Sequence, residues 1–143
     1  MGISMGAATS ILAAAELKIE ALVLWSSVPD FKLLFESYAD DSSQILAEQE
    51  VIVHDGWEIN REFFIEAMQH NIKGALSKIE IPIFIVQGTE DAPLFVDCFD
   101  QFRDVALPPA DFMEIPGAGH TYQTPHHRRQ VIRQTAIWLY RNF

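Results

Sequence analysis

Residues 2–6 read Gly2-Ile3-Ser4-Met5-Gly6, a G-x-S-x-G pentapeptide running directly into an Ala-rich stretch. Few short patterns restrict geometry as much. A serine in this setting sits on a sharp strand-to-helix turn with its hydroxyl held clear of both elements. The glycines two before and two after it are small because a larger side chain would collide with the neighbouring strand and helix. The helix behind the turn is legible, since Met5, Ala8, Ile11, Leu12 and Ala15 recur along residues 5–15. No strand is legible ahead of it.

Continuous apolar runs come next. Ala21-Leu22-Val23-Leu24-Trp25 ends at Ser26-Ser27, and Ile83-Phe84-Ile85-Val86 ends at Gln87-Gly88. Unbroken rather than alternating runs suit strands covered on both faces, as in a parallel sheet. Pro82 fits the first residue of the second run, where a missing N–H costs little. A third short strand, Phe112 to Ile115, stops at Pro116-Gly117. Between and after these strands lie helical patterns. Phe95, Cys98, Phe99 and Phe102 are spaced for a helix over 94–104. Thr124 as N-cap and Pro125 at the first helical position open a last helix, whose stripe is Val131, Ile132, Thr135, Trp138 and Leu139. The expectation is an α/β fold: a three-stranded, mostly parallel sheet flanked by helices.

Residues 29–79 break this rhythm. They read as helix (Phe31 to Tyr38), helix (Ser42 to Gln49), a hairpin from Val51 to Ile59 turning at Asp55-Gly56, and a helix from Asn60 or Arg61 to His70. An insertion longer than a crossover needs is expected to be a cap over the carboxyl ends of the strands, where open α/β sheets place their sites. The domain expectation is therefore a core of 1–28 and 80–143 with a cap of 29–79.

Composition excludes several classes. Ten basic against twenty acidic residues give a net charge of -10. Nucleic acid and anionic membrane both call for a basic face, so neither is expected as a partner. Cys98 is the single cysteine, so no disulfide framework or cysteine metal cluster is expected. The apolar start lacks a basic lead and reaches Glu16 and Lys18, unlike a signal peptide, so a cytoplasmic location is expected.

The chemistry lies where the predicted elements end. Gly88-Thr89-Glu90-Asp91 follows the second strand and Gly117-Ala118-Gly119-His120 the third. A serine hydroxyl becomes a useful nucleophile when a base takes its proton, and that base needs an acid to fix its tautomer. Ser4, Asp91 and His120 supply the three types in order, with Glu90 and Asp97 as alternatives for the acid. These residues, with G-T-E-D and G-A-G-H-T-Y, make the whole chain resemble the carboxyl-terminal half of an α/β-hydrolase. The insertion is most similar to the small cap of cinnamoyl/feruloyl-type carboxylesterases, followed by acyl-peptidase-like hydrolases. The resemblance implies Ser4 as nucleophile, His120 as general base and acid, Asp91 as its orienting acid and the Met5 amide as an oxyanion donor. It also implies ester hydrolysis through an acyl-enzyme, on a small-molecule ester and without metal or organic cofactor. Ala92-Pro93-Leu94 departs from the Val-Pro usual a few residues beyond the acid.

In such enzymes an amino-terminal half carries the strand feeding the elbow and a second oxyanion amide. This chain begins at the elbow. The expectation is an apolar edge beside Ala21 to Trp25, open to pairing in a homo-oligomer. A reading of a different class follows: a truncated, non-catalytic chain associating through that edge. A peptidase or acyl-transferase of the same fold is a third.

Trp57, Phe31 and Phe63 are the residues nominated to wall a substrate pocket, with cap packing as their alternative. His126 and His127 read as solvated surface groups, His54 and His70 as cap residues. Cys98 reads as core filler, and Asp40-Asp41 and Asp97/Asp100 as solvated acids.

Overall fold

The computed structural model describes residues 1–38, 50–54 and 56–143, and the side chains of 37, 38 and 54 are outside the description. The expected helix over 42–49, the Asp40-Asp41 pair and Asp55 lie outside the described residues. Described contacts divide the chain into two units, Met1–Pro29 with Ile72–Phe143, and Asp30–Asn71.

The first unit is built on strands β1 (Gly2–Ile3), β2 (Leu22–Trp25), β5 (Ile83–Gly88) and β6 (Ala110–Ile115), in the order β1-β2-β5-β6. All neighbouring strands pair in parallel. The sheet thus has one strand more than the sequence suggested. Gly2 pairs with Leu24 and Ile3 with Trp25, so a feeding strand does precede Ser4. Two residues carry no readable periodicity, and their pairing is a tertiary fact. The same pairing moves part of the expected edge: β1 lies beside Leu24 and Trp25 and is the outermost strand of the described sheet.

Helices α1 (Met5–Glu16), α4 (Ile72–Leu76), α5 (Pro93–Val105) and α6 (Pro125–Asn142) complete this unit. One sheet face carries Val23, Phe84, Val86 and Ile115, which join Ala118, Tyr122, Val131 and Trp138 in a single buried cluster. The Trp138 ring stacks on Phe84 at 5.4 Å, and its indole N–H donates to Asp111 Oδ2 at 2.7 Å. Leu22, Leu24, Ile83 and Ile85 alternate to the opposite face and are buried too, as parallel strands require. Helix α4 packs on α1 and α5. That packing returns the chain to the sheet unit at Ile72, earlier than the boundary after 79 read from the sequence.

Thr124 caps α6 by accepting from the His127 amide at 3.1 Å, and Pro125 occupies the first turn. The stripe of α6 is narrower than its hydropathy implied. Val131, Thr135 and Trp138 are buried, but Ile132 is 53% exposed and Leu139 is exposed with it. Cys98 is buried on α5; burial pushes its thiol far above the ordinary value, which leaves it inert.

The second unit holds α2 (Phe31–Tyr38), the antiparallel pair β3 (Val51–His54) and β4 (Trp57–Asn60), and α3 (Arg61–Ala67). Gly56, at φ 82°, supplies the left-handed residue of the hairpin turn. Asn60 caps α3 by accepting from the Glu62 amide at 2.8 Å. Phe35 gathers the aromatic rings, with centroids 5.9 Å from Phe31, 6.3 Å from Phe63 and 4.7 Å from Phe64. The only helix of the described residues long enough to consider for a membrane, α6, is not apolar enough to cross one.

Trp138→Ala is expected to destabilise the sheet unit by about 3–5 kcal/mol, since it removes a buried ring that stacks and hydrogen-bonds. Urea unfolding followed by near-UV dichroism measures it.

Candidate functional site

Ser4 occupies the junction of β1 and α1 with φ 55° and ψ -127°, a left-handed conformation that a serine adopts only when surroundings impose it. The imposition is visible. Its amide donates to Trp25 O at 2.9 Å, continuing the β1–β2 ladder, while its carbonyl accepts from the amides of Ala7 and Ala8 at 3.0 and 3.3 Å. One residue thus closes a strand and opens a helix. A Cβ on Gly2 would stand 2.2 Å from Gly6 O, so position 2 admits only glycine. Position 6 is different: a Cβ on Gly6 meets nothing within 4 Å, and the expected collision there is absent among the described residues. The Met5 amide is the first of α1, with no intrahelical acceptor available to it.

Asp91 follows β5 directly, on a turn laced to the His120 loop. Thr89 N donates to Ile115 O (3.2 Å), Glu90 N to Ala118 O (2.9 Å) and Gly117 N to Thr89 Oγ1 (2.9 Å). A Cβ on Gly88 would stand 2.3 Å from Ala118 O, so the approach of the two loops requires glycine at that position as well. Beyond Asp91 the chain goes straight into α5, with Pro93 in its first turn. That turn is the local consequence of Ala92-Pro93-Leu94.

The three side chains meet. His120 Nδ1 lies 2.8 Å from Asp91 Oδ2, and His120 Nε2 lies 2.8 Å from Ser4 Oγ. An ionised carboxylate only accepts, so in a neutral imidazole the proton belongs on Nδ1 and the Nε2 lone pair faces the serine hydroxyl. Such an arrangement can pass the hydroxyl proton to the ring. The Asp91 side chain is 2% exposed and that of His120 26%, so the imidazole is reachable from solvent while its carboxylate is sealed. The Phe95 ring covers His120 at a centroid distance of 4.1 Å. Glu90 and Asp97, the alternative acids, are exposed, and neither is the imidazole's partner.

Other sequence nominations fare variously. Phe31 and Phe63 both lie in the second unit, joined through Phe35, whereas Trp57 is 75% exposed on its hairpin. His126 is exposed and His127 half-buried near Gly117, and His70 is exposed. Asp97 and Asp100 are exposed, and no cluster of metal-ligating side chains occurs among the described residues.

Two supports escaped the sequence reading. Tyr122, at φ 51°, buries its ring two residues past His120 and donates its hydroxyl to Val86 O at 3.1 Å, while Ser26 Oγ donates to Tyr122 Oη at 3.1 Å. It pegs the histidine loop to Val86 within β5 and to Ser26 just past β2. Gln87 is the other, and its Nε2 donates to Asp91 Oδ2 at 2.8 Å. A polar residue closing an otherwise apolar run was the available signal for Gln87. Tyr122 offered none beyond its place beside the histidine.

The sequence matches no family model and no curated protein. Solved structures do match in shape. The chain superposes on an esterase domain of a Rhodothermus marinus protein with a TM-score of 0.76 at 17% identity, covering 98% of this chain and 59% of that one. For Est1E of Butyrivibrio proteoclasticus the TM-score is 0.77 at 20% identity, with 99% and 59% covered; Est1E has also been solved with ferulic acid bound. A Paleococcus ferrophilus monoacylglycerol lipase gives a TM-score of 0.72 at 18% identity, with 99% and 67% covered. At these identities the likeness establishes the fold. The chain has the α/β-hydrolase fold in part, spanning about three fifths of the length of the first structures it matches.

Burial pushes the Tyr122 hydroxyl up to about 12, with the Ser26 hydrogen bond opposing and the Asp91 carboxylate adding to the rise. Below pH 10, its ordinary value, the group is neutral folded or unfolded and its stabilising effect is whole; that effect drains away as pH climbs through 12. Tyr122→Phe is therefore expected to flatten the alkaline loss of stability, at a cost of about 1–2 kcal/mol at neutral pH because Ser26 loses its acceptor. Urea midpoints at neutral and strongly alkaline pH check both.

Proposed function

We propose that the chain is the part of a serine hydrolase that carries its nucleophile, base and acid, and that the whole protein cleaves carboxylic esters through an acyl-enzyme. One observation carries the reading: the unbroken hydrogen-bonded run from Ser4 through His120 to Asp91, with both contacts at 2.8 Å. The names of the shape-matched structures, among them an esterase domain and a monoacylglycerol lipase, support esters over other acyl substrates.

In this reading Ser4 Oγ attacks the ester carbonyl carbon as His120 Nε2 takes its proton, and the oxyanion forms toward the Met5 amide at the amino end of α1. The imidazolium, held by Asp91, then protonates the departing alcohol oxygen. Water then attacks the acyl carbon, giving a proton to Nε2; the acyl–Oγ bond breaks, the carboxylic acid leaves and Nε2 returns that proton to Ser4 Oγ. The carboxylate keeps the ring in the tautomer whose lone pair faces the serine and offsets the positive charge it acquires. The left-handed backbone at Ser4 puts the hydroxyl at the end of the helix, where the dipole favours developing negative charge.

A fluorophosphonate probe applied to the whole protein is expected to label Ser4 stoichiometrically and to leave Ser4→Ala unlabelled, as read by intact mass. No Ser4-dependent labelling would leave an assembled but unreactive chain as the alternative. Asp91→Asn is expected to lower kcat on a soluble ester by about 10⁴-fold, because the amide favours the wrong tautomer.

A further inference from the structure

The hydrogen-bonded run does not end at Asp91. Strand β5 reads Ile83-Phe84-Ile85-Val86-Gln87-Gly88 and is buried along its whole length. Only one of its side chains is polar. Burying an amide is unfavourable unless its hydrogen bonds are met, and an apolar residue would fit the strand more cheaply. Gln87, 3% exposed, is met by the site itself: its Nε2 donates to Asp91 Oδ2 at 2.8 Å and to Gly88 O at 3.2 Å. The amide nitrogen must face the carboxylate, since the reverse orientation would set two acceptors against each other.

Asp91 therefore receives three donors. Ala92 N takes Oδ1 at 2.7 Å, while Gln87 Nε2 and His120 Nδ1 share Oδ2, each at 2.8 Å. A carboxylate rotates over a broad, shallow range about its last torsion. With one oxygen held by the backbone and the other by Gln87, that rotation is blocked. The two holds differ in rigidity. Ala92 lies on the same turn as Asp91, whereas Gln87 belongs to the sheet, paired in register with Glu114 of β6. Gln87 is thus the direct link between the sheet and the carboxylate that orients His120.

Resting on the serine-hydrolase reading, we propose that Gln87 is a positioning residue: its amide fixes the plane of the Asp91 carboxylate and, through it, the aim of His120 at Ser4. It touches neither substrate nor the reacting atoms. Its effect is expected in the chemical step, with binding left alone.

The test compares Gln87→Met, nearly isosteric but without a donor, with Gln87→His, which keeps an N–H at similar reach. Readouts are kcat and KM on a soluble ester, and the downfield proton resonance of His120 Nδ1–H in the unligated whole protein, assigned by its loss in His120→Ala. Gln87→Met is expected to lower kcat on the order of 10²-fold with KM within about twofold, as for a small misplacement of a reacting group, and to broaden or abolish the resonance. Gln87→His is expected to recover most of both. Wild-type kcat and an unchanged resonance in a folded Gln87→Met would overturn the proposal. If that variant does not fold, Gln87→Asn, whose amide stops one methylene short, takes its place with the same expectations. Failure of the wild type to turn over esters or label at Ser4 would sink the hydrolase reading instead. The resonance would still report whether Gln87 steadies His120.

Discussion

The 2.9 Å bond from the Ser4 amide to the Trp25 carbonyl ties the start of the chain to the sheet, and the site depends on it. Two paired residues of β1 would be a weak strand alone. They hold because the next amide extends the ladder and the next carbonyl begins a helix. The left-handed backbone at Ser4 is the strain of making both connections at one residue, with Gly2 leaving the space for the return of the chain.

A second constraint works from the far side of the sheet. The Asp91 turn and the His120 loop leave the ends of adjacent parallel strands, β5 and β6, and their contact depends on the missing side chain at Gly88. Parallel pairing puts both strand ends at one edge of the sheet, and three backbone-anchored hydrogen bonds then lace the loops. Tyr122 completes the brace from below with its hydroxyl between Ser26 and Val86. Serine, acid and imidazole consequently stand on three segments that the same sheet locates, which is how side chains distant in sequence reach hydrogen-bonding range.

Buried polar groups are placed economically. Ser26, Ser27, Gln87 and Thr135 are the buried polar side chains of the described residues, and each is bonded: Gln87 to Asp91, Ser26 to Tyr122, Ser27 to the Val28 carbonyl at 3.4 Å, and Thr135 to the Trp25 indole at 3.1 Å. No buried side-chain nitrogen or oxygen lacks a partner among the described residues. Two of these four, those of Gln87 and Ser26, bear on the site, which is consistent with rigid support for a geometry that tolerates little error.

Sequence alone determined the order and type of the elements around the site apart from β1, because those signals are local. Gly-Ser-Gly ahead of a helix, apolar runs ending at Gly88 and Pro116-Gly117, and Thr124-Pro125 each act over a few residues. It also placed Ser4, Asp91 and His120 at element ends, where a parallel sheet presents side chains. What it left undetermined is non-local: the two-residue strand β1, the return to the sheet at Ile72, the exposure of Ile132, and the parts played by Gln87 and Tyr122. Periodicity tells whether a residue is apolar and how its neighbours recur. Which strand a short segment joins, and which buried oxygen an amide finds, follow from packing among residues far apart in the chain, and only the tertiary structure decides them.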